Sequence, residues 1–78
     1  MMNTSPANTR VVAVIPKASD IECHVRIIEV ENVRVLEFRD YIPSLQEYAR
    51  GYWLPLNESA LYGVLNAVTE VMNSERVS

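Results

Sequence analysis

Val33-Arg34-Val35-Leu36-Glu37-Phe38-Arg39-Asp40-Tyr41 is the stretch on which the fold turns. A period of two puts Arg34, Leu36, Phe38 and Asp40 on one side. It puts Val33, Val35, Glu37, Arg39 and Tyr41 on the other, as in a strand with two distinct faces. Arginine and tyrosine share the second face, and such a face can neutralise phosphates and stack on bases. Upstream, Ile21 to Val30 alternates in the same way. Cys23, Val25 and Ile27 fall on one side, and His24, Arg26, Ile28 and Val30 on the other. Glu31-Asn32 joins the two runs tightly, so the pair reads as a β-hairpin.

Working outward, Arg10 to Ile15 is a short β-branched run closed by Pro16, which predicts another strand. Lys17 to Asp20 reads as a turn. Pro43-Ser44 ends the central strand, Leu45 to Ala49 reads as a connecting loop, and Gly51 to Leu56 as a short aromatic strand. Pro55 cannot donate to a ladder and belongs at a strand end or edge. Asn57 suits a helix N-cap, with Glu58 and Ser59 in the first turn. Leu61, Val64, Leu65, Val68, Val71 and Met72 then recur at spacings of three and four, the stripe of an amphipathic helix. Residues 1–9 and 74–78 read as flexible tails around a single domain at 10–73. The expected class is α+β: a four-stranded curved antiparallel sheet followed by one C-terminal helix covering one sheet face.

At 78 residues the chain is one small domain, and a monomer of this size buries too small a fraction of its surface to be comfortably stable. Cys23 is the single cysteine, so no internal disulfide helps. Oligomerisation is the remaining common remedy, and a dimer is expected. The net charge of −3 leans against nucleic acid. Six of the seven basic residues are arginine, the better residue for bidentate phosphate contacts and stacking, which leans toward it. No apolar run approaches the ~20 residues of a membrane span, and no secretory leader is visible. The expectation is an intracellular protein, cytoplasmic or nucleoid-associated (in the host cytoplasm if viral), with no membrane partner.

Catalytic chemistry finds no foothold. Cys23 and His24 are strand neighbours pointing to opposite faces, so they form no nucleophile–base couple. One Cys and one His make no metal site, and two glycines make no phosphate-cradling loop. No enzyme, metal or cofactor is expected. Arg39 either binds phosphate or closes an ion pair with Glu29 or Glu37. Tyr41, Tyr48 and Tyr52 either stack bases or sit half-buried at a rim. Of Tyr52 and Trp53, one faces the helix and the other faces out, and Trp53 is assigned to core or dimer contact.

Leu36-Glu37-Phe38-Arg39-Asp40-Tyr41, then Arg50-Gly51-Tyr52-Trp53-Leu54, then the capped helix from Asn57 to Met72, resemble the C-terminal domain of the transcriptional coactivator positive cofactor four. The resemblance covers about residues 21–73. It implies a homodimer with helices at its centre and curved sheets that hold single-stranded DNA with little sequence preference. The family serves transcription, replication or recombination. Arg39 and Arg50 stand at the positions of the family's strand arginine and loop lysine. Ile42 replaces an aromatic, Glu31-Asn32 replaces a lysine-rich hairpin tip, and the regulatory tail of eukaryotic members is absent, as in a minimal bacterial or phage version. The expected DNA-binding set is Arg10, Arg26, Arg34, Arg39, Tyr41, Tyr48, Arg50 and Tyr52. The expected dimer interface is Trp53, Leu61, Val64, Leu65, Val68 and Met72. Transcription or replication proteins are further candidate partners. The alternative reading is a protein-interaction or dimerisation module of the same fold that binds no nucleic acid, favoured by the acidic balance.

Overall fold

Four strands in chain order form one antiparallel meander, and a helix follows. The structure is a computed structural model describing residues 9–75. Strands β1 (Arg10–Ala18), β2 (Ile21–Val30), β3 (Val33–Ile42) and β4 (Glu47–Pro55) lie side by side in that order, and α1 spans Glu58–Glu75. The expected α+β architecture of a four-stranded sheet and one C-terminal helix is therefore the observed one. The tails expected at residues 1–8 and 76–78 lie outside the described residues.

The hairpin register follows from its turn. Glu31 and Asn32 both adopt positive φ, 50° and 68°, the twist that a two-residue loop needs to match its flanking strands. From Val30↔Val33 the pairing runs unbroken to Glu22↔Tyr41. It places Arg26 directly opposite Glu37 and His24 opposite Arg39. The two faces of β2 and β3 are those read from the alternation.

Three boundaries differ from the sequence reading. Strand β1 runs on through Pro16 to Ala18. It is an edge strand, where a missing donor faces outward without loss. Strand β4 begins at Glu47 and not at Gly51, because Tyr48 and Glu47 pair with Tyr41 and Ile42. That segment has no alternation of its own, and its neighbour imposes the extension. Helix α1 continues to Glu75, so Asn73–Glu75 do not fray. Its start is as expected: the Asn57 side chain accepts a hydrogen bond from the Ala60 amide at 2.9 Å.

The larger departure is the helix packing. Helix α1 does not cover the sheet. It makes no extensive contact with any strand, and none of its residues is fully buried. The buried apolar residues of the described chain are Val25 and Ile28. The radius of gyration is 14.2 Å, against about 11 Å for a compact domain of this length. The chain therefore leaves its apolar helix stripe and much of its sheet open to solvent.

Gly51 pins the β3–β4 pairing. A Cβ there would meet the Phe38 carbonyl oxygen at 2.6 Å and the Arg39 Cα at 2.9 Å. Gly51→Ala is expected to cost about 1–3 kcal/mol by overpacking backbone against backbone. Gly63 has open space around it within the subunit, so no close backbone approach explains it there. Gly63→Ala is expected to stabilise the helix by about 1 kcal/mol. Urea unfolding of both variants checks the opposite signs.

Candidate nucleic-acid interface

The two sheet faces divide sharply by chemistry. One carries Cys23, Val25, Ile27, Leu36, Phe38, Tyr52 and Leu54, an apolar centre that shares its face with Arg10, Glu29, Arg34, Asp40 and Arg50. The other carries Glu22, His24 and Arg26 from β2, Glu37, Arg39 and Tyr41 from β3, and Tyr48 and Trp53 from β4. On this second face the charged and aromatic side chains contact one another as one network.

Its centre is Glu37, only 2 % exposed. One carboxylate oxygen, Oε1, accepts from Arg26 Nε at 2.8 Å and Arg26 Nη2 at 2.5 Å. The other, Oε2, accepts from Arg39 Nε at 2.8 Å and from Trp53 Nε1 at 3.3 Å. Arg39 Nη1 also donates to the Ala49 carbonyl at 2.7 Å, where the β3–β4 register shifts between Arg39 and Tyr41. Burial by itself raises the Glu37 pKa. Hydrogen bonds and attraction from Arg26 and Arg39 outweigh it and hold the pKa below its ordinary value. Glu37 is thus a carboxylate at neutral pH, and the buried charge is compensated.

Beside this hub lies an aromatic cluster. His24 stacks on Tyr41 with centroids 4.5 Å apart, and meets Tyr48 edge-on at 5.3 Å. Tyr41 and Tyr48 are 4.8 Å apart. The His24 Nδ1 is 3.0 Å from the Tyr48 hydroxyl, and Nε2 is 2.9 Å from Glu22 Oε1. The Arg26 guanidinium lies 4.3 Å above the Tyr48 ring. Hub and cluster are therefore one continuous surface of two guanidinium groups and several ring systems.

The sequence-predicted set does not assemble as one track. Arg26, Arg39, Tyr41 and Tyr48 come together on the Glu37 face. Arg10, Arg34, Arg50 and Tyr52 lie on the apolar face, since Arg10 registers with Ile27, and Arg34 and Tyr52 share the side of Phe38. Within one sheet, therefore, Arg26 and Arg39 share a face that Arg10 and Arg50 do not. Arg39 does form the ion pair with Glu37, and it does so along its own strand and not across strands. The cross-strand pair is Arg26–Glu37. Trp53, expected at the dimer interface, lies beside Glu37 and is half exposed. Leu61, Val64, Leu65, Val68 and Met72 share the open helix stripe.

On the apolar face Tyr52 stacks on Phe38 at 5.2 Å, and Lys17 Nζ binds Asp40 Oδ1 at 2.9 Å. Sequence reasoning passed over Glu22, His24 and Glu37 as site residues. Their spacing of two from His24, Arg26 and Arg39 on one strand face was the signal available. Among the described residues no cluster of His, Cys, Asp and Glu could hold a metal ion, and no helix is long and apolar enough to cross a membrane. No family model, curated protein or solved structure matches this chain.

Proposed function

We propose that the chain acts as a homodimer that binds single-stranded DNA with little sequence preference, using the Glu37 face of each sheet. The observation that carries this reading is the division of the sheet. Two arginines and the rings of His24, Tyr41, Tyr48 and Trp53 share one face around Glu37, and the opposite face carries Val25, Ile27, Leu36, Phe38 and Leu54 together with Arg10, Arg34 and Arg50. Guanidinium groups answer backbone phosphates, and rings accept unpaired bases whatever their identity. Duplex bases are already stacked on one another and offer no such faces.

The uncovered surfaces support the dimer. Apolar side chains of α1 spread over roughly 220° of its circumference, from Ala67 round to Tyr62, more than one helix–helix seam covers. A second copy supplies both missing partners, a helix and an apolar sheet face. An open groove of about 510 Å³ over Cys23, Phe38 and Tyr52 leaves room for its side chains. The order of four antiparallel strands and a helix agrees with the positive cofactor four resemblance.

Fluorescence anisotropy with a labelled 20-mer of oligo-dT against a duplex of equal length tests the reading. Binding at low salt that favours the single strand and weakens with added salt is expected. Equal affinity for both, or none below high micromolar, overturns it. Retention of acidic proteins without nucleic acid would instead favour the protein-interaction module.

A further inference from the structure

We propose that Glu37 is a positioning residue that fixes Arg26 and Arg39 as one two-pronged receptor for a single backbone phosphate. The inference rests on the single-strand reading and deepens it.

The donor inventory points this way. A guanidinium carries five N–H groups. Arg26 spends two on Glu37, through Nε and Nη2, and three remain. Arg39 spends one on Glu37 and one on the Ala49 carbonyl, and three remain there too. Both arginine side chains still reach solvent, at 19 % and 26 % exposure, while the Glu37 carboxylate between them is covered at 2 %. A ligand approaching from outside meets guanidinium edges and not the carboxylate. Two positive charges against one negative leave the hub a net charge of +1, which matches one phosphodiester.

The arginines are also held still. Arg26 is gripped at one edge by Glu37 and on its plane by the Tyr48 ring. Arg39 is gripped by Glu37 and by the β4 backbone. Their rotamer freedom is lost on folding and not on binding, so a phosphate meets a finished receptor. Nearby, Glu22 is taken up by His24, and Tyr41 and Tyr48 lie within the same surface to receive the adjoining bases. That pairing of anion site and rings favours a nucleic acid over an acidic peptide.

The test is the salt dependence of oligo-dT 20-mer binding for three folded dimers: wild type, Arg26→Lys with Arg39→Lys, and Glu37→Gln. Lysine keeps both charges but loses the fixed fork. The lysine pair is expected to bind about tenfold more weakly with an unchanged salt slope. Glu37→Gln removes the balancing charge, and its log–log slope is expected to steepen by ~0.7 for each further phosphate neutralised. A merely structural Glu37 would move neither slope. Wild-type affinity in the lysine pair overturns the inference, as does an unchanged slope in folded Glu37→Gln. If circular dichroism shows Glu37→Gln unfolded, the lysine pair alone decides. Equal competition by a poly-glutamate peptide of matched charge also overturns it. Failure of wild type to bind the 20-mer at all removes the single-strand reading itself, which separates the two.

Discussion

Leu65→Asp combined with Val68→Asp is expected to remove the fold together with the dimer. Within the chain these side chains are largely exposed, at 56 % and 54 %, so the substitutions should be nearly harmless to a monomer. In the proposed dimer they are the middle of the buried stripe. Burying a leucine or valine side chain is worth about 1.5–3 kcal/mol, and a two-fold assembly loses each contact twice. An unpaired carboxylate in the same place costs still more. The sum is comparable with the whole stability of a small domain, about 5–15 kcal/mol. Because the described subunit buries only Val25 and Ile28 among its apolar residues, no stable monomer is left to fall back on. Sedimentation equilibrium and circular dichroism at micromolar concentration should show an unfolded chain. A folded monomer with native helix content would sink the dimer. Asn66→Asp lies on the polar strip of the helix and should leave mass and helicity unchanged.

The faces of the sheet were legible because β2 and β3 alternate without interruption. Each residue's side follows from parity alone. The partner of Arg26 was legible in principle as well. A two-residue turn at Glu31-Asn32 fixes Val30 opposite Val33, and counting outward brings Arg26 to Glu37. That step needs the turn type, which Glu-Asn signals only weakly against Asn-Gly or Asp-Gly. Strand β4 was harder. Glu47 to Arg50 has no hydrophobic rhythm, and a register shift near Asp40 breaks the count that would have told which of Tyr52 and Trp53 shares the Glu37 face. The place of Arg50 relative to Arg39 depends on the same shift. The expectation that the helix covers its own sheet failed for a different reason. Amphipathicity marks a stripe that favours burial, and it does not say against what surface.

Replacing the whole hub, with Arg26→Met, Glu37→Leu and Arg39→Met, is expected to separate folding from binding. Removing the two arginines alone should be severe, because it strands a carboxylate that is 2 % exposed. Losing the partners of a buried charge costs about 3–5 kcal/mol. Removing all three charges leaves nothing uncompensated, and apolar side chains of similar volume can fill the space. Such replacements are commonly neutral or mildly stabilising, so the triple variant should unfold in urea within about 2 kcal/mol of wild type. It keeps Tyr41, Tyr48 and Trp53, and hence the surface for bases, but has no cation there for phosphate. Oligo-dT binding at low salt should fall by at least about tenfold, with a flatter dependence on salt. A triple variant that folds, dimerises and still binds like wild type would mean that the strand does not cross this face. Arg10, Arg34 and Arg50 of the opposite face would then be the cations to test next. The same result would leave the dimer untouched, since nothing in the hub contributes to the helix stripe.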